Sequence, residues 1–160
     1  PRKPAGGITA AAITPAGNLL RAALGADGRA EAVFRGGTLL TRLPLAEQRS
    51  SYTELSDTQA GPQRVRHTLK LVVSREAART LFGPAFRRTA ATEGLIATVT
   101  AASGERLLIG WAARLGREQP LRLGSVSNES GVKPLDGTPV VVTLTCEDTD
   151  SAPELKQQEP

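Results

Sequence analysis

Residues 64–73 read RVRHTLKLVV, and this stretch decides the fold because its polarity alternates at every step as far as Leu71. One face carries apolar side chains and the only histidine of the chain: Val65, His67, Leu69, Leu71 and Val73. The other face carries Arg64, Arg66, Thr68 and Lys70. Such alternation predicts a β-strand with one face in the core and the other in solvent.

Further strands follow from turn residues and from the same alternation. Residues 47–58 are polar and compatible with a strand, and they predict a hairpin with 64–73 across a long loop. A second hairpin is predicted for residues 95–101 and 106–114, on either side of the turn ASGE. Two more strands are predicted at 118–126, with Leu121 and Leu123 inward, and at 140–146, with a loop at 127–137 between them.

A helix is predicted for residues 74–82. Ser74 is a suitable N-cap, Glu76 lies in the first turn, and apolar residues recur at helical spacing. A Gly-Pro pair ends this helix, and residues 85–92 add a second, short helical piece.

The first 46 residues allow two interpretations. Residues 1–7 are rich in Pro, Gly and basic side chains, which predicts a flexible arm. Within 8–46, either a helix begins near Pro15 and stops at Gly25, or two strands flank residues 25–28. We favour strands, because the apolar pieces that follow are short and are split by glycines.

Together these elements predict a mainly β protein: an antiparallel β-sandwich or barrel with one main flanking α-helix at 74–82. The length of 160 residues suits one domain, which we place at residues 8–146. It lies between the flexible arm at 1–7 and an acidic tail at 147–160. Aromatic residues make up only 3% of the chain, so the core must consist mainly of Leu, Val, Ile and Ala.

Charge is distributed unevenly along the chain. The net charge is +4, but residues 147–160 hold five acids and one base, which leaves +8 on residues 1–146. A basic body can attract nucleic acid, a lipid surface or an acidic protein face, or it can simply serve solubility. The acidic tail can screen the body or dock onto the basic face of a neighbouring copy. We expect docking, with both termini acting as docking arms.

No catalytic, cofactor-binding or metal-binding residue is predicted, and no cofactor is expected. His67 lies on the apolar face of its strand, which favours a buried structural histidine over a catalytic one. Cys146 also faces the apolar side, as a small core hydrophobe and not a nucleophile. A single cysteine excludes an intramolecular disulfide and fits a reducing compartment. Gly110, inside a predicted strand, indicates close packing or a bulge.

Basic residues fall into three groups: Arg64, Arg66 and Lys70 on one strand, Arg87 and Arg88 after the helix, and Arg114, Arg117 and Arg122 around a glycine turn. Contact with phosphate is compatible with these groups. They lack interleaved aromatic residues and a helix-turn-helix, however, so nucleic-acid binding is the less favoured interpretation. No apolar run approaches the roughly 20 residues of a membrane helix, and no membrane partner is expected.

Several short stretches carry a resemblance to a known family. They are HTLKL at 67–71, EGLIATV at 93–99, LIGW at 108–111, EQPLRL at 118–123, SG at 130–131 and VTLTCEDT at 142–149. Over residues 48–150 the chain resembles small virion structural proteins of tailed phages and prophages of Bacteroidales-type bacteria. None of these stretches is a catalytic motif.

The resemblance implies assembly and not enzymatic chemistry. It implies a tail tube, tail completion or head–tail joining subunit whose partners are further copies of itself and other virion or assembly proteins. Its location would be the virion, assembled in the bacterial cytoplasm. The alternative is a basic accessory module that binds nucleic acid. Contiguous Arg and Lys over one groove would favour nucleic acid, whereas scattered charge with an open sheet edge would favour assembly.

Overall fold

The computed structural model of the chain describes residues 7–35, 41–42, 50–57, 64–112, 117–128, 139–148 and 151–155. Its strands are β1 (Ile8–Pro15), β2 (Leu19–Leu24), β3 (Ala30–Phe34), β4 (Thr41–Arg42), β5 (Ser51–Asp57), β6 (Arg64–Ser74), β7 (Leu95–Ala101), β8 (Arg106–Ile109), β9 (Trp111–Ala112), β10 (Arg117–Glu118), β11 (Arg122–Asn128) and β12 (Pro139–Asp148). The helices are α1 (Arg75–Leu81), α2 (Pro84–Thr92) and a 3-10 turn at Ala16–Asn18.

Two four-stranded antiparallel sheets form the body. Sheet 1 has the strand order β4-β1-β7-β8, and sheet 2 has the order β11-β12-β6-β5. Buried side chains from both sheets belong to one apolar core, together with Ala78, Phe82 and Ala90 from the helical region. The predicted class, mainly β with antiparallel sheets in a sandwich-like arrangement, is therefore confirmed.

The strand that decides the fold, β6, lies inside sheet 2 between β5 and β12. Its predicted inner residues are all buried: Val65, His67, Leu69, Leu71 and Val73. β5 is antiparallel to β6, which confirms the hairpin predicted for residues 47–58 and 64–73. β12 pairs with β6 over ten residues, so the strand predicted at 140–146 extends further at both ends.

The helical region contains two helices and not one main helix. Ser74 Oγ accepts a hydrogen bond from the Ala77 N–H at 3.1 Å, which caps α1 as predicted. The second helical piece is the longer one, because α2 has nine residues and α1 has seven. Pro84 in the first turn presets the helical φ of α2. The rings of Phe82 and Phe86 pack edge to face at 4.6 Å and join the two helices.

Gly110 divides the second strand of the hairpin that follows α2. The strand predicted at 106–114 consists of β8 and β9, and Gly110 between them has a φ of +105°. A Cβ at this position would lie 2.9 Å from the carbonyl oxygen of Leu95, so the close approach predicted here requires glycine. The strand predicted at 118–126 is also divided, into β10, an isolated bridge at Leu121 and β11.

The N-terminal part forms strands, as we favoured over a helix. β2 and β3 make an antiparallel hairpin that turns at residues 25–28, where the Gly25 N–H donates to the Arg29 carbonyl at 2.8 Å. One face of this hairpin covers a second, smaller core: Ala16, Leu19, Ala30, Ile96, Leu108, Trp111 and Leu155.

Residues 151–155, here called the C-terminal segment, fill the space between β8 and β3. The segment donates and accepts one backbone hydrogen bond with β8: Leu155 N–H to the Arg106 carbonyl (2.8 Å), and Leu108 N–H to the Pro153 carbonyl (3.0 Å). On its other side, the Ala30 N–H donates to the Glu154 carbonyl at 2.7 Å. The segment therefore joins the β2–β3 hairpin to sheet 1.

The predicted arm and tail are described only in part. Of the arm at 1–7 the structure describes Gly7 alone. Of the tail at 147–160, the first two residues belong to β12 and residues 151–155 form the C-terminal segment. Residues 1–6, 149–150 and 156–160 lie outside the described residues, as does most of the loop predicted at 127–137.

Candidate functional site

A buried polar cluster lies at one end of sheet 2, where β5, β6 and β12 are adjacent. The Tyr52 hydroxyl donates a hydrogen bond to Glu54 Oε1 at 2.6 Å and also contacts His67 Nδ1. Because a hydroxyl has one hydrogen, this arrangement makes His67 Nδ1–H the donor to Tyr52. His67 Nε2 faces Asp148 Oδ2 at 3.9 Å. His67 is 2% exposed, so its predicted burial is confirmed.

Burial keeps two side chains, one in this cluster and one beside it, in their neutral forms. Burial and the neighbouring Glu54 raise the pKa of Tyr52 above its ordinary range, so the phenol stays protonated as a donor. Burial, with a smaller contribution from Asp148, raises the pKa of Cys146 to about 12. A buried thiol with such a pKa is a poor nucleophile at neutral pH, in line with the predicted core role.

The cluster also holds the C-terminal segment in place. Glu54 Oε1 also accepts a hydrogen bond from the Ala152 N–H at 2.9 Å. One carboxylate thus connects the edge strand β5, the ring of Tyr52 and the C-terminal segment. Among the described residues, no group of three or more His, Cys, Asp and Glu side chains is arranged to hold a metal ion.

The β2–β3 hairpin exposes apolar side chains. Leu20 is 57% exposed at a bulge of β2, and Val33 is 40% exposed beside it, in register with Arg21. Leu24, next to the turn, is 47% exposed. Within the described residues β2 pairs with β3 alone, and no described strand pairs with its outer backbone edge. Exposed apolar groups beside an open strand edge are typical of a surface that binds another chain.

A cleft of about 570 Å³ lies between the helices and sheet 2. Three arginines line it: Arg75 and Arg79 on α1, and Arg87 on α2. Apolar residues line the rest, among them Phe82 and Val140, which are both buried. Of these three arginines, only Arg87 was among the basic groups predicted from sequence. For Arg75 and Arg79, the spacing of four residues, which places both on one side of a helix, was the available signal.

The other predicted basic groups are dispersed. Arg64, Arg66 and Lys70 are exposed on β6 as predicted, and Arg66 pairs with Glu147 at 3.2 Å. Arg122 donates to the carbonyl oxygens of Ala91 and Thr92, so it holds the end of α2 against β11. The side chains of Arg114 and Arg117 lie outside what the structure describes.

Comparisons with protein-family models, curated proteins and solved structures found no match to this chain. The resemblance to virion proteins therefore stays a prediction. Within the described part of the chain, no helix is both long and apolar enough to cross a bilayer.

Proposed function

We propose that the chain is a non-catalytic structural subunit of a phage-type particle, in its tail or at the head–tail junction. In this role it acts through contacts with further copies of itself and with other virion or assembly proteins. The observation that carries the proposal is the β2–β3 hairpin, with its open edge and its exposed Leu20, Leu24 and Val33.

The hairpin is suited to binding a second copy of the chain. An open strand edge offers unpaired N–H and C=O groups that another strand can pair with. Full burial of an exposed Leu or Val side chain contributes about 1.5–3 kcal/mol. The hairpin is held on its inner face by Leu19 and Ala30 in the second core, so its outer edge is presented on a fixed support.

The distribution of charge also favours a subunit of an assembly rather than a protein that binds nucleic acid in a basic groove. Apart from the three arginines of the cleft, the described exposed cations lie on separate surfaces, among them Arg21 and Arg29 on the hairpin, Arg64 and Lys70 on sheet 2, and Arg88 on α2. Two basic residues of these surfaces form ion pairs with the C-terminal region: Arg66 with Glu147, and Arg29 with Glu154. Scattered and partly neutralised charge with an open edge is what we expect of a subunit.

The test is self-association of a hairpin variant. Leu20→Ser with Val33→Thr removes exposed apolar surface, and we expect association to weaken about tenfold or more at unchanged stability. Sedimentation velocity over a range of concentrations measures it. Leu55→Ser is the control, because Leu55 is 70% exposed on edge strand β5, away from the hairpin. Equal association of the variant and the parent chain would contradict the proposal.

Nucleic-acid binding is the second candidate function. The observation in its favour is the cleft, where Arg75, Arg79 and Arg87 surround a single depression. Binding of a 20-base-pair DNA duplex by the full chain, with a steep loss of affinity as salt increases, would support this candidate.

A further inference from the structure

The cleft between α1, α2 and sheet 2 combines concentrated positive charge with an apolar floor. The side chains of Arg75, Arg79 and Arg87 are exposed, and none forms an ion pair with a carboxylate of the described residues. Three unneutralised guanidinium groups around one cleft repel each other, and a ligand with two or more negative charges relieves that repulsion. Guanidinium groups bind carboxylate and phosphate equally well by geometry.

The apolar floor of the cleft favours a carboxylate of a protein segment over a phosphate of nucleic acid. Ala78, Phe82, Val126 and Val140 line the cleft beneath the arginines. Phe82 is 3% exposed and packs edge to face against Phe86, so its ring is not free to stack on a nucleobase. Single-stranded nucleic acid depends on such stacking. An aliphatic side chain of a protein segment fits the floor better than a sugar-phosphate backbone does.

The described acids of the C-terminal region do not supply the anion. Glu147 pairs with Arg66 at 3.2 Å, and Glu154 pairs with Arg29 at 3.8 Å. Asp148 is buried beside His67. The described acids of this region are therefore engaged elsewhere in the fold.

We propose that the cleft binds an acidic segment of a partner protein, with an apolar side chain on the floor and carboxylates on the three arginines. This contact is on a different surface from the hairpin and does not depend on self-association. A partner of this chemistry would attach to each copy separately, whatever the number of copies that assemble.

The experiment uses the full chain and three fluorescein-labelled peptides in fluorescence anisotropy. EELLEE carries both features, QQLLQQ lacks the charges, and EESSEE lacks the apolar residues. We expect EELLEE to bind most tightly, and to bind more weakly as ionic strength increases. Arg75→Gln, Arg79→Gln and Arg87→Gln should each weaken it about threefold to fivefold, because the groups are exposed.

Matched controls separate the site from general charge. Arg88→Gln changes the neighbour of Arg87 on the same helix, but Arg88 does not line the cleft, so the affinity should stay unchanged. The triple cleft variant combines Arg75→Gln, Arg79→Gln and Arg87→Gln. Its control, a chain with Arg64→Gln, Lys70→Gln and Arg88→Gln, loses the same number of charges. Circular dichroism confirms folding. Should the triple cleft variant not fold, the comparison of Arg87→Gln with Arg88→Gln decides alone.

Three outcomes overturn the inference. One is the absence of EELLEE binding at millimolar concentration, and another is equal weakening by the cleft and control variants. The third is binding of a 20-base DNA strand through the same arginines while EELLEE does not compete, which would assign the cleft to nucleic acid. Failure of the proposed assembly role is seen separately, as hairpin variants that self-associate like the parent chain.

Discussion

At the scale of single residues, burial determines which groups of this protein carry a proton. The phenol of Tyr52 and the thiol of Cys146 are both held in neutral form, because a charged oxygen or sulfur loses its hydration in the core. A protonated Tyr52 suits the cluster around His67, because its hydroxyl donates to Glu54. The same Glu54 oxygen accepts from the Ala152 N–H. The cluster thus connects three strands and the C-terminal segment.

The raised pKa of Cys146 predicts a loss of stability at alkaline pH. The folded value is about 12 and the ordinary value is 9.0, so the unfolded chain releases this proton first. The free energy of unfolding should fall as pH increases from 9 to 12, by up to about 1.4 kcal/mol per pH unit. Below pH 9 the contribution is complete. Cys146→Ala should flatten this slope in urea unfolding between pH 8 and 11. Equal slopes would contradict the assignment.

Substitution of His67 should affect stability and leave association unchanged. His67→Leu keeps the apolar packing but removes the Nδ1 contact with Tyr52, which we expect to cost about 1–3 kcal/mol. Urea unfolding measures the cost, and sedimentation velocity measures association. Thr68→Val, on the opposite face of the same strand, should change stability by no more than about 0.5 kcal/mol. Weaker association of His67→Leu at full stability would instead place His67 in a contact surface.

At the scale of elements, the C-terminal segment forms isolated β-bridges with two strands. It covers the edge of β8, anchors β3 through Ala30, and buries Leu155 in the second core. Without it, the β2–β3 hairpin would be a two-stranded unit, which is marginally stable on its own. The residues that read as an acidic tail in the sequence therefore hold the proposed assembly element in place.

Truncation should reveal this role. A chain that ends at Asp150 loses the burial of Leu155 and the hydrogen bonds on both sides of the segment. We expect it to unfold about 2–4 kcal/mol more easily, with faster hydrogen exchange at the amides of Ala30 and Leu108. A chain that ends at Leu155 is the control and should behave like the parent. Equal stability of the two truncated chains would show that the segment is an appendage.

Sequence predicted those parts of the fold that depend on local pattern. The alternation in β6 identifies its inner face, and Ser74 marks the start of α1, because both signals lie within a few residues. The pairing of Leu107 with Glu154 and of Ala30 with Leu155 joins distant parts of the chain. A segment rich in Ser, Pro and Glu gives no local sign of a strand. The cleft was missed for the same reason, since tertiary packing assembles it.

At the scale of the whole molecule, two acids of the C-terminal region pair with basic residues of the body. For these described acids, contacts within one chain take the place of the docking on a neighbouring copy that we expected. Glu147 lies on Arg66 and Glu154 on Arg29 within one chain, and Asp148 lies within a buried cluster. These carboxylates are therefore engaged within the chain and are not offered to a neighbouring copy. The proposed contact between copies uses the apolar hairpin, between molecules that each carry a net charge of +4.

The salt dependence of self-association distinguishes contact through the apolar hairpin from docking of the acidic tail. Copies of equal positive charge repel each other, and salt screens that repulsion over a Debye length that shortens from about 10 Å at 0.1 M to about 3 Å at 1 M. Apolar contact through the hairpin does not weaken under screening. We therefore expect the association constant to stay constant or to increase between 0.05 and 0.5 M NaCl, as measured by sedimentation velocity. If the acidic tail docked on a neighbouring copy, the association constant would decrease with salt, because salt weakens the attraction between an acidic segment and a basic face. Association that decreases steeply with salt, and that is lost on removal of residues 156–160, would restore the docking tail.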